Sequence, residues 1–167
     1  MESADDVNEL VEPWLKENAS ADNWFLHVNY WDVHHPYRAP DEYWDRVQAG
    51  GDGPDFPDAE TIKKHNQTYY GPRTARDWGP DELVNPRLKK MMKQMKDRFP
   101  RMRTDIPDHD AFMQFIDGAD AGMAYVDDCI GRLLNILREN GVEDDTAIII
   151  SSDHGESIGE QGMYFEH

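Results

Sequence analysis

Apolar residues recur every three or four positions between Asp110 and Asn140: Phe112, Phe115, Ile116, Ala119, Met123, Val126, Ile130, Leu133, Leu134 and Leu137. That spacing places them on one stripe of a long amphipathic helix. Asp108 or Asp110 can cap its start, and Gly141 fits its C-terminal stop. Gly118, Gly122 and Gly131 weaken it by roughly 1 kcal/mol each relative to alanine. Their missing side chains permit close packing on a sheet. Cys129 falls inside the helical pattern, which points to packing.

Two stretches carry a strand pattern. Trp24-Phe-Leu-His-Val-Asn-Tyr-Trp31 is rich in aromatic and β-branched residues, and Thr146-Ala-Ile-Ile-Ile150 is a short continuous apolar run. Both read as strands, the second as a buried strand of a parallel sheet. Strand, helix, strand forms a crossover unit, so the two strands are expected to be parallel.

The remaining chain is less regular. Val7, Leu10, Val11, Trp14 and Leu15 share a helical face, with Asp5 or Asp6 as candidate cap and Pro13 predicting a kink or irregular end. Ser20 to Asn23 is a polar turn. From residue 38 to about residue 80 no period is sustained, and the run from Gly50 to Pro57 reads as loop. Ala59 to Tyr70 has room for a short helix. Pro80 to Phe99 is patterned as an amphipathic helix, with Leu83, Leu88, Met91, Met92 and Met95 apolar. Its methionines suit a core gap or a partner groove. The expected fold class is α/β, one domain over residues 1–167. A mainly parallel sheet is interrupted by a long irregular, partly helical insertion over residues 38–103.

Charge and length narrow the function. Lys plus Arg is 17 against 34 for Asp plus Glu, a net charge of -17. A nucleic-acid or anionic-membrane partner needs a basic patch, so neither is expected. No apolar run approaches the ~20 residues that span a bilayer. The first residues lack the basic and apolar segments of a signal peptide, which leaves location open with the cytoplasm favoured. A single cysteine excludes an internal disulfide.

The chemistry collects where the two strands end. One runs into Asp32-Val-His34-His35-Pro36-Tyr37, the other into Ser152-Asp153-His154-Gly155-Glu156. Open α/β sheets bind ligands beyond the carboxyl ends of their strands. An oxygen donor beside a nitrogen donor reads as half of a divalent-metal site. Turn chemistry is the competing account: Asp accepting backbone N–H bonds and Gly taking a positive φ.

These two motifs, together with Ala124-Tyr-Val-Asp-Asp-Cys-Ile-Gly131-Arg132-Leu133-Leu134 and Gly159-Glu160-Gln161-Gly162, resemble a type I sulfatase of the alkaline-phosphatase-like superfamily. The resemblance covers about residues 5–37 and 110–167. It implies part of an alkaline-phosphatase-like three-layer sandwich. It implies that Asp153 and His154 are the second pair of ligands to a divalent ion, calcium first, with manganese or magnesium as alternatives. His34 matches the histidine of the family's His-x-Pro motif, which contacts the leaving sulfate group. His35 occupies the x position and is expected to face solvent. Glu166 stands where family members often carry a lysine, and His167 could serve there as donor. The family's nucleophile is a formylglycine made from the cysteine of Cys-x-Pro-x-Arg. Cys129 is followed by Ile-Gly-Arg and does not match.

The chain is therefore expected to be an internal portion of such a domain, inactive alone. The intact enzyme would hydrolyse a sulfate-ester small molecule or carbohydrate. Tyr43, Trp44, Tyr69, Tyr70 and Trp78 are candidate stacking surfaces for that substrate, or anchors of the insertion. Unpaired sheet edges would favour self-association. Two other readings stay open. One is a phosphodiesterase, phosphonate hydrolase or phosphoglycerate-mutase-like relative. The other is a non-catalytic binding or assembly module.

Overall fold

The computed structural model describes residues 2–48, 57–67, 86–103, 105–159 and 162–164. Its longest element, here α5, runs His109–Glu139, with α1 at Ala4–Asn18, α2 at Asp41–Gln48, α3 at Ala59–His65 and α4 at Pro86–Arg98. Helix α5 is closed at both ends as the sequence predicts. The Asp108 carboxylate accepts from Ala111 N at 2.9 Å. At the other end Gly141 has φ of 69°. Its N–H donates to the Arg138 carbonyl at 3.0 Å, and Val142 N donates to the Leu137 carbonyl at 3.1 Å. That pair of bonds satisfies carbonyls the helix itself leaves open.

Helix α1 starts two or three residues earlier than a cap at Asp5 or Asp6 would set it. Ser3 is the cap, accepting from Asp6 N while Ser3 N donates to the Asp6 carboxylate at 2.7 Å. Asp6 is thus the reciprocal partner of a capping box. The helix continues through Pro13, which is exposed. There, water can take the carbonyl that proline leaves without a donor. Asn8 and Leu15 form the buried stripe, whereas Leu10 and Trp14 stay exposed. Asn8 Nδ2 donates to the Cys129 carbonyl at 2.8 Å, and Tyr30 Oη donates to Asn8 Oδ1 at 2.5 Å. This polar link ties α1, α5 and the segment after α1 together. Leu15 and Ala19 pack with Leu133, Ile136 and Leu137 of α5.

The expected mainly parallel sheet is not there among the described residues. Among the described residues the only β pairing is an isolated antiparallel bridge between Ile158 and Tyr164. The segment 24–32 alternates between half-buried or buried and exposed residues, as an extended chain lying on helices does. Trp24, Leu26 and Val28 pack against the α1–α5 cluster. Among the described residues no neighbouring segment pairs with its backbone in a ladder. Thr146 is extended, with φ -107° and ψ 122°, but Ile149 and Ile150 lie open to solvent. The residue types of a strand are present in both segments. A strand also needs a partner's N–H and C=O groups, and side-chain pattern does not provide them.

The insertion contains more helix than its sequence pattern suggests. Helix α2 buries Tyr43 and Trp44 against α5, with the Tyr43 and Tyr125 rings 5.1 Å apart. Those two aromatics are anchors of the insertion; Tyr69, Tyr70 and Trp78 lie outside the described residues. Met95, Phe99 and Met102 form a separate small core with Met91 and Met92. Arg98 grips the Asp6 carboxylate at 2.5 and 3.0 Å and Ser3 Oγ at 2.8 Å, holding α4 to the start of α1. Two glycines of α5, Gly118 and Gly122, pack closely, though not on a sheet. A Cβ on Gly118 would lie 2.8 Å from the Trp44 ring, and one on Gly122 would lie 2.8 Å from the Asp32 carbonyl oxygen.

Candidate functional site

The first half of the site is the loop 32–38, and it is tied at both ends. Arg38 N donates to the Asp32 carbonyl at 3.2 Å, and His34 N donates to the Trp31 carbonyl at 3.2 Å. The Asp32 carboxylate, 0 % exposed, faces Arg38 Nε at 3.4 Å. Burial pushes Asp32 up to about 6 despite the guanidinium, and the same burial lowers Arg38. Taking both charges out of water outweighs their attraction. The His35–Pro36 peptide bond is cis.

His34 is half-buried and His35 is buried, the reverse of a solvent-facing x position. The His35 ring lies 6.1 Å from Tyr37 and 6.2 Å from Phe115. Burial pushes it down to about 3, so it stays neutral near pH 7. Its burial follows from the loop's turn onto α5, which alternation along one segment does not reveal.

The second half is the segment 152–156. His154 N donates to Asp153 Oδ1 at 3.1 Å, and Ser152 Oγ donates to the His154 carbonyl. The Asp153 side chain is 92 % exposed. The two halves meet: the His34 and His154 rings lie 5.8 Å apart, edge to face. Tyr37 Oη donates to Glu156 Oε2 at 2.7 Å and bolts the loops together. Burial and this carboxylate push the Tyr37 hydroxyl well above the ordinary phenol range, so it remains a donor.

The histidines share a tautomer. His34 Nδ1 lies 2.6 Å from the His35 carbonyl, and His154 Nδ1 lies 2.6 Å from the Gly155 carbonyl. A carbonyl only accepts, so Nδ1 carries the proton in each ring. In the neutral rings Nε2 is then the basic nitrogen, the one a metal or a proton would meet.

Asp153 and His154 thus offer one carboxylate and one imidazole nitrogen, a set that suits a divalent ion in kind. Two donors are too few to cage it. Among the described residues no group of three or more His, Cys, Asp or Glu side chains is placed to hold one. His167 and Glu166 lie outside the described residues. Cys129 is buried on α5 and its thiol is pushed up to about 11, chiefly by desolvation, which makes it unreactive. Arg38, Tyr37 and Glu156 do structural work that the sequence reading did not assign them. Tyr37 and Glu156 stand inside the two motifs, and only their meeting gives them a role.

The family model described as Sulfatase matches residues 1–167. The chain belongs to the sulfatase family. Its relatives include the choline-sulfatase of Rhizobium meliloti (strain 1021), 39 % identical over 46 residues, which is 28 % of this chain and 9 % of that protein. The multifunctional alkaline phosphatase superfamily protein PehA of Trinickia caryophylli is 50 % identical over 38 residues, 23 % of this chain and 7 % of PehA. The phosphoethanolamine transferase EptA of Salmonella typhimurium (strain LT2) is 29 % identical over 104 residues, 62 % of this sulfatase-family chain and 16 % of EptA. No solved structure matches it significantly. No helix among its described residues is long and apolar enough to cross a membrane.

Proposed function

We propose that this chain carries part of the active site of a sulfate-ester hydrolase acting on a small molecule or carbohydrate. One observation carries the reading: in a sulfatase-family chain, His34 of one motif meets His154 of the other at 5.8 Å. Asp153 and His154 would hold a divalent cation, calcium first and manganese or magnesium next, with its remaining positions filled by other donors. The ion, when bound, supplies positive charge that polarises the ester. His34, when protonated at Nε2 as well as Nδ1, would hold the sulfate group through that N–H or deliver the proton to the leaving oxygen. The Tyr37–Glu156 bond and the Asp32–Arg38 pair fix His34 in place for either task. His167 remains a proposed donor to the same group.

The test is a nuclear magnetic resonance titration with nitrophenyl sulfate, with and without calcium or manganese. The expected result is a metal-dependent shift of the His34 ring signals that Asp153→Ala abolishes. No metal dependence, or the same shift in the variant, would falsify the assignment. Residues 1–167 alone should show no turnover, because the single cysteine is buried and unreactive. Steady release of nitrophenol by the purified chain would overturn that expectation.

The match to a phosphoethanolamine transferase over 62 % of this chain supports a second reading, phosphoryl-ester chemistry at the same site. Stronger metal-dependent shifts with nitrophenyl phosphate than with the sulfate would select it.

A further inference from the structure

We propose that a cleft on the far side of Trp44 is a binding site for a small oxyanion, a sulfate, phosphate or carboxylate group. The cleft has a volume of about 340 Å³ and is bordered by Trp44, Lys96, Arg101, Arg103, Asp105 and Gln114. That volume lies at the small end of ligand pockets. It holds one anionic group with a modest organic body. The inference does not depend on how the His34–His154 site is read.

The charge on its walls runs against the chain. The protein has twice as many acids as bases, 34 against 17. The cleft has three cations and a single acid on its border. Lys96 and Arg103 form no ion pair among the described residues, Asp105 included. A random patch of this surface would be net negative. This border carries more cations than acids in a net-negative chain, although Arg101 is itself paired with Asp45.

The donors are also built in. Trp44, 2 % exposed, has its indole Nε1 buried without a hydrogen-bond partner, and Arg103 Nε is likewise buried and unpartnered among the described residues. An unsatisfied buried donor costs about 1–3 kcal/mol. Both donors belong to residues that border the cleft, and an oxyanion, which only accepts, is the kind of group that would satisfy them after a small side-chain shift. Arg101 is already positioned: its Nη1 donates to Asp45 Oδ1 at 2.6 Å and the Asp41 carbonyl at 3.3 Å, and its guanidinium lies 5.3 Å over the Trp44 ring. Held this way it loses little freedom when an anion arrives. Gln114, from α5, adds an amide. Trp44, Arg103 and Gln114 also border a narrow crevice that reaches Tyr37. The cleft therefore lies one side chain from the loop carrying His34.

The experiment is calorimetry of the full chain with sodium sulfate and sodium phosphate at constant low ionic strength. The Trp44 indole N–H signal is followed in parallel. Saturable binding that shifts this signal is expected, weakened about tenfold by Arg103→Gln, equal to about 1.4 kcal/mol. Lys96→Gln lies on an exposed helical position and cannot unfold the core, so it tests the charge should Arg103→Gln misfold. It should weaken binding several-fold. Asp153→Ala should leave binding unchanged, which separates this cleft from the metal-binding pair. Tighter binding of nitrophenyl sulfate than of sulfate would identify an organic anion as occupant, and equal binding a free inorganic one. Absence of saturable binding, equal affinity in both variants, or an identical response to chloride would each overturn the proposal.

Discussion

Asp32 and His35 are neighbours in one loop, and burial drives both toward their neutral forms. Asp32 rises from 3.8 to about 6, and His35 falls from 6.5 to about 3. The consequences for stability have opposite signs. The raised Asp32 favours the folded state fully below about pH 4, and that contribution is lost as pH rises through 6. The depressed His35 favours the folded state above about pH 6.5, and that contribution is lost as pH falls toward 3. Between pH 4 and 6 the two offset each other. Asp32→Asn should therefore give a chain whose stability falls more steeply on acidification from pH 6.5 to 4. His35→Gln should give one whose stability falls less, or rises. Urea midpoints at three pH values measure the slopes. Only the slope matters, because Asp32→Asn also changes packing and hydrogen bonding beside Arg38, an offset that does not vary with pH. Parallel slopes in the two variants would contradict the account.

Among the elements, α5 was legible in the sequence and α2 was not. Helix α5 repeats its apolar pattern over 31 residues and carries its own cap and stop. Helix α2 has 8 residues, too few for a period to emerge, and its burial depends on where α5 lies. The glycines of α5 separate the same way. Nothing lies within 4 Å of a Cβ built on Gly131, so Gly131→Ala should stabilise by about 1 kcal/mol through helix propensity alone. Gly122→Ala meets a backbone oxygen that cannot swing aside and should destabilise despite the same propensity gain. Thermal melts of the pair decide this; stabilisation by both would remove the packing argument. The link between the two site loops is tested by Tyr37→Phe, which keeps the ring against Phe115, 5.1 Å away, and deletes only the hydroxyl. Glu156 Oε1 already lacks a partner among the described residues, so the variant leaves the carboxylate unsatisfied. A cost of about 1–3 kcal/mol and loss of the His34–His154 ring contact in nuclear Overhauser spectra are expected. An unchanged ring contact would show that the loops hold themselves.

For the whole molecule, the balance lies between charge repulsion and exposed apolar surface. Phe25 is 87 % exposed and Ile149 88 %, both on extended segments with no ladder among the described residues. The net charge of -17 opposes contact between copies. Salt shortens its reach to about 8–10 Å at physiological strength. Self-association should therefore increase with salt, and Ile149→Glu should reduce it; light scattering that falls with added salt would argue against apolar association. The sequence by itself determined what is local. It determined the periodicity and ends of α5, the α4 helix within the insertion, and the motifs that carry the family resemblance. These depend on residues within a few turns of one another. Only the tertiary structure decided that the two strand-like segments do not pair, that His35 is buried, that Tyr37 reaches Glu156, and that three cations gather in an acidic chain. Each of those depends on contacts between residues distant in sequence, and side-chain order along a chain does not encode which backbone or charge will lie opposite.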